Sequence, residues 1–125
     1  MYTVCVSTDF VAQHFLTVPD PGPEGEIHSH RYELTVECVG KELNEYGYLL
    51  DIDDLTAALD RIEDRYRDEL LNGREEFSGL NPSVEHFARI VVDDLTAALD
   101  APEVDTLRVK LHEDEIAWAA YERAV

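Results

Sequence analysis

The chain has 125 residues, 45% of them apolar, and carries 28 Asp plus Glu against 10 Lys plus Arg, a formal net charge of −18. That length suits one domain (residues 1–125) with its own hydrophobic core, and the charge excludes a polynucleotide or an anionic membrane surface as partner. No apolar run reaches the length of a membrane-spanning helix, and "MYTVCVSTDF" lacks a basic-then-apolar leader, so a cytoplasmic location is expected.

The acids are spread through apolar-patterned segments rather than gathered in a tail, which sets the chain apart from disordered acidic regions. Only Lys41 and Lys110 are lysines. A carboxylate-rich, lysine-poor surface resembles that of halophile proteins, where screening shortens the Debye length to about 3 Å at 1 M salt. Net charge therefore leaves an anionic small substrate open. Cys5 and Cys38 are far apart, outside any C-x-x-C spacing, and are expected as small apolar core residues on strands.

Tyr2 to Ser7 alternates, with Tyr2, Val4 and Val6 on one face, and predicts a half-buried strand. Pro19 to Gly25 holds three prolines and two glycines and reads as a loop. From His28 the alternation resumes: His28, His30, Tyr32, Leu34, Val36 and Cys38 share one parity, and Arg31, Glu33, Thr35 and Glu37 the other. The histidines thus continue the buried face towards the loop end of this strand.

"NEYGYLLDIDD" predicts a turn, a short strand and a helix start capped by Asp51 or Asp53. Leu55, Leu59, Ile62, Tyr66 and Leu70 recur at helical spacing. Ser83 is a good N-cap for a second helix with Val84, Phe87, Ala88, Val91, Leu95 and Leu99 on its apolar face. Thr106 to Glu113 alternates again, and "IAWAAYE" predicts a last strand. The order β-β-α-α-β-β predicts an α+β fold with a four-stranded antiparallel sheet and both helices on one face. The octapeptide "DDLTAALD" occurs twice, at Asp53–Asp60 and Asp93–Asp100, and reads as helix composition rather than as a repeat array.

Residues i and i+2 of a strand point the same way, so His28 and His30 can present two imidazoles to one ion, and His14 is the nearest third candidate. Taken alone, the pattern is equally that of polar residues at a strand end. The surrounding pieces, in order, are "FVAQHFL", "HSHRYELTVEC", "GYLLDIDDL", "LLN", "NPSVEHFA" and "LRVKLHE". Together they resemble the 6-pyruvoyltetrahydropterin synthase family, which includes the 6-carboxytetrahydropterin synthases, over nearly the whole chain. The resemblance implies Zn²⁺ held by His14, His28 and His30, and a pterin ring anchored by Glu113 with help from Ser83. It further implies the tunnelling fold, assembled as trimers or hexamers with sites between subunits.

Three departures from the family pattern stand out. Glu24 stands where the family has its catalytic cysteine, Arg67 and Asp68 stand where it has Asp and His, and HGH has become HSH. A branch with Glu in place of the cysteine is associated with cleaving a dihydroneopterin-type side chain to 6-hydroxymethyl-dihydropterin. By that likeness Glu24 is the candidate general base, with Glu26 less well aligned, and Asp68, His86 or His112 supplies the second proton-transfer group. The alternatives are a zinc- and pterin-binding paralogue without activity, and a metal-free acidic interaction protein on the same fold. Asp51 and Glu85 also match the pattern and read as a cap acid and a first-turn helix acid.

Overall fold

A computed structural model describes residues 1–125. The elements run β1 (Tyr2–His14), β2 (His28–Gly40), α1 (Ile52–Tyr66), α2 (Val84–Ala98), β3 (Thr106–His112) and β4 (Trp118–Ala124), with short 3-10 turns at Gly22–Gly25, Leu71–Gly73 and Glu75–Phe77. The four strands form one antiparallel sheet in the order β1-β2-β3-β4. Two strands, two helices and two strands follow one another, as the α+β expectation requires.

Parity decides what the sheet buries. On β1 Phe10, Ala12 and His14 are buried, on β2 Tyr32, Leu34, Val36 and Cys38, and on β3 Leu107, Val109 and Leu111. The intervening residues of each strand face away. Against the buried face lie Leu55, Ala58, Leu59, Ile62 and Tyr66 of α1, and Val84, Phe87, Ala88, Val91 and Leu95 of α2. Five aromatic rings meet there edge to face: Phe87 lies 5.2 Å from Tyr32, 5.0 Å from Tyr66, 5.6 Å from Phe77 and 6.1 Å from Phe10 between centroids. Such pairs add about 0.5–1.5 kcal/mol each beyond area burial. Tyr32 is the link from this packed interior to the histidines.

Several elements differ from the sequence expectation. The first strand extends beyond Ser7 to His14, because β2 is long enough to pair with all of it, from Tyr2↔Gly40 to His14↔His28. No strand forms in "NEYGYLLDIDD": Asn44 accepts through its side chain from the N–H groups of Tyr46 and Tyr48 and closes a turn instead. Asp51 caps α1 by accepting from Asp53 N–H at 2.8 Å. That helix stops at Tyr66 because Arg67 turns out of helical geometry at ψ 125° and Asp68 follows with a left-handed φ of 60°, which puts Leu70 beyond the helix and beside Gln13 of β1. Leu99 likewise follows the end of α2. Cys5 is exposed, on the uncovered sheet face, whereas Cys38 is buried as expected. No helix is long and apolar enough to cross a membrane.

Candidate metal and pterin site

The last pair of the β1–β2 ladder is His14↔His28, and His30 follows on the same face of β2. This register brings three imidazoles from two strands together, with ring centroids 4.5 Å (His14–His28), 5.0 Å (His14–His30) and 4.8 Å (His28–His30) apart. Glu113, the first residue past β3, continues the parity of Leu107, Val109 and Leu111 on the buried face, and its side chain reaches the same point.

One ring nitrogen of each histidine and a Glu113 carboxylate oxygen all lie within 4.8 Å of one another. Glu113 Oε1 is 2.8 Å from His30 Nε2 and 3.6 Å from His14 Nε2. All three Nε2 atoms are buried and without a hydrogen-bond partner, the 2.8 Å approach of Glu113 included, since it lacks hydrogen-bond geometry.

Two rings are locked from behind. His14 Nδ1 lies 2.9 Å from the Pro82 carbonyl and His28 Nδ1 2.8 Å from the Glu26 carbonyl. A carbonyl only accepts, so each Nδ1 carries a proton, which in the neutral ring leaves the Nε2 lone pair facing the cluster. Tyr32 Oη stands 3.3 Å from the same Nδ1 of His14. Burial, first of all, lowers the pKa of His14 below the ordinary histidine range, and the neighbouring imidazoles add to that, so the ring is held neutral, the form that binds metal. Three convergent imidazole nitrogens without hydrogen-bond partners, beside a carboxylate, fit a divalent ion such as Zn²⁺.

The chain leaving His14 is held by two asparagines. Asn72 accepts from Phe15 N–H and donates to Phe15 C=O, both at 2.9 Å, and Asn81 accepts from Thr17 N–H at 2.9 Å. These contacts explain the asparagines of "LLN" and "NPSVEHFA" as a clamp on the strand end. Ser83 caps α2, accepting from His86 N–H at 3.1 Å, next to the carbonyl that orients His14. Glu24 lies exposed on the Gly22–Gly25 turn, whose position is set by Leu16 N–H donating to the Glu24 carbonyl at 2.9 Å, and its charge acts on His14. Asp68 is not among the converging groups. It is exposed, at the turn after α1, with its N–H on the Val11 carbonyl along the outer edge of β1. His86 Nδ1 is occupied by the Asn81 carbonyl. His112 lies beside Trp118 and faces a cleft of about 520 Å³ that His30 and Glu113 also line. A larger depression of about 670 Å³ near Arg65 and Arg74 contains none of the four donor groups.

The 6-pyruvoyl tetrahydropterin synthase family model matches residues 3–124. The chain belongs to that family. It is 29% identical over 96 residues to the 6-carboxy-5,6,7,8-tetrahydropterin synthase of Bacillus subtilis, a match covering 74% of this chain and 64% of that protein, so it spans less than two thirds of that relative's length. It is 27% identical over 118 residues to a putative 6-carboxy-5,6,7,8-tetrahydropterin synthase of Archaeoglobus fulgidus, covering 94% of this chain and 93% of the relative. The fold matches that of the Caenorhabditis elegans 6-pyruvoyl tetrahydropterin synthase (TM-score 0.83, 18% identity, 98% and 96% of the two chains). A Plasmodium vivax 6-pyruvoyl tetrahydropterin synthase gives the same TM-score of 0.83 at 14% identity, covering 99% and 98%. The tunnelling-fold protomer expected from the sequence is therefore the one observed.

Proposed function

We propose that the protein is a zinc-dependent lyase or synthase acting on the side chain of a dihydroneopterin-type pterin, with 6-hydroxymethyl-dihydropterin as the product that best suits its residues. The observation carrying this reading is the meeting of three unpartnered Nε2 atoms from two strands at one point, beside Glu113. In this reading His14, His28 and His30 hold the ion, which when bound supplies a Lewis acid to polarise an oxygen of the substrate side chain. Glu113 accepts hydrogen bonds from the amino-pyrimidine edge of the ring, and Ser83 supports the ring from the start of α2.

Glu24 takes the proton of the hydroxyl next to the scissile C–C bond, and that oxygen's electron pair forms the carbonyl of the departing aldehyde as the bond breaks. A second group returns a proton to the carbon left on the ring. Asp68, exposed at the β1 edge, suits that role in a site completed by an adjoining chain, consistent with a homo-oligomer, trimer or hexamer, in the cytoplasm. Precedent for a carboxylate comes from a Plasmodium vivax 6-pyruvoyltetrahydropterin synthase in which a glutamate is a catalytic residue.

Protein purified without an affinity tag is expected to contain about one zinc per chain, with His28→Ala losing it while remaining folded. Incubation with dihydroneopterin and with its triphosphate, followed by mass analysis, is expected to show a shortened side chain, abolished in Glu24→Gln. A folded preparation that takes up no zinc rejects the site. Zinc and pterin binding without turnover rejects the catalytic assignment and favours a binding paralogue, a reading that the exposure of Glu24 and the displacement of Asp68 from the cluster also favour.

A further inference from the structure

Glu113 stands closer to the histidine nitrogens than anchoring a heterocycle requires. Four donors around zinc at about 2.0–2.2 Å form a tetrahedron with edges of roughly 3.3–3.6 Å. Glu113 Oε1 lies 3.6 Å from His14 Nε2 and 2.8 Å from His30 Nε2, which brackets that edge. The only basic side chains within ion-pair range of it are these two imidazoles, with no Arg or Lys among them. Because the proton of His14 sits on Nδ1, two lone pairs face one another across the His14–Glu113 gap with no hydrogen between them. A cation relieves that opposition, and a carboxylate in turn offsets part of the cost of placing a dication in a largely buried pocket.

We infer that Glu113 is the fourth ligand of the ion in the substrate-free protein and leaves it when a pterin ring takes the carboxylate. This rests on the metal and pterin reading above. One carboxylate oxygen cannot both ligate and serve a paired hydrogen bond to the ring edge, so ring binding opens the coordination position that the substrate side chain needs. The backbone allows the exchange. Glu113 N–H is tied to the Ala117 carbonyl at 3.2 Å and Asp114 accepts from Ile116 and Ala117 N–H, so the turn stays in place while a partly exposed side chain swings.

Cobalt(II) titration of the metal-free protein tests this through visible d–d absorption, which reports ligand number and type. Wild type is expected to give a four-coordinate spectrum, and Glu113→Gln an altered spectrum with affinity weaker by about tenfold or more. Saturating 7,8-dihydropterin, which has no side chain, is expected to move the wild-type spectrum, with binding followed by fluorescence. Identical spectra and affinities for wild type and Glu113→Gln overturn the ligand assignment while leaving the three-histidine site standing. An unmoved spectrum with dihydropterin bound overturns the exchange. Failure of wild type to bind cobalt removes the metal reading itself, and failure to bind dihydropterin removes the pterin reading and the exchange with it.

Discussion

Among the Asp, Glu, His, Lys and Arg side chains, only His14 is buried to the level of the core, at 1% exposure. Its polarity is tolerated because Nδ1 has the Pro82 carbonyl, and its other nitrogen is left for a ligand. The residue types of the cluster were legible in the sequence, since the parity of His28, His30 and Glu113 already placed them on the buried face. The backbone carbonyls of Pro82 and Glu26 were not, because a carbonyl has no signature in side-chain identity. The two cysteines show the same limit. Both lie on strands, yet Cys5 faces outward opposite Glu37 and Cys38 inward. Burial raises the Cys38 thiol to about 11, with Cys5 adding to it. At pH 8 a disulfide reagent such as DTNB is expected to label Cys5 in the native protein and Cys38 only after unfolding. Rapid labelling of both thiols in the folded state contradicts this packing.

At the scale of elements, the four strands and two helices followed from periodicity; the short strand expected in "NEYGYLLDIDD" does not form, and the other differences fell at element ends. Alternation in "TDFVAQH" is weak because Thr8 and His14 put polar groups on the inward parity and Val11 an apolar one on the outward parity, so only pairing with β2 carries β1 to His14. The repeated octapeptide occupies unlike places, near the start of α1 and across the end of α2, as shared composition would have it. The far end of β2 is fixed by a close approach. A Cβ at Gly40 would meet the Glu103 carbonyl oxygen and come within 2.6 Å of Leu49 Cδ1. Gly40→Ala is therefore expected to cost about 1–3 kcal/mol in urea unfolding, with zinc stoichiometry unchanged. An unaltered unfolding midpoint would show that this crossing has room to spare.

Over the whole molecule, charge is the dominant feature. Arginines are largely engaged with nearby carboxylates, as in Arg65–Asp94, Arg67–Glu63, Arg89–Asp93 and Arg123–Asp93, but exposed pairs of this kind contribute only about 0–1 kcal/mol each. A net charge of −18 leaves most carboxylates repelling one another. Raising NaCl from about 0.1 to 2 M shortens the screening length severalfold and is expected to raise the melting temperature by about 5 °C or more. A flat or falling Tm would show that repulsion does not limit stability. Charge, the order of elements, the face each strand buries and the kinds of ligand available could all be read from the linear chain, because they follow from local periodicity and composition. That His14 pairs with His28, and that Glu113 reaches them from β3, emerged with the folded sheet alone, because register between distant strands depends on contacts that no local pattern encodes.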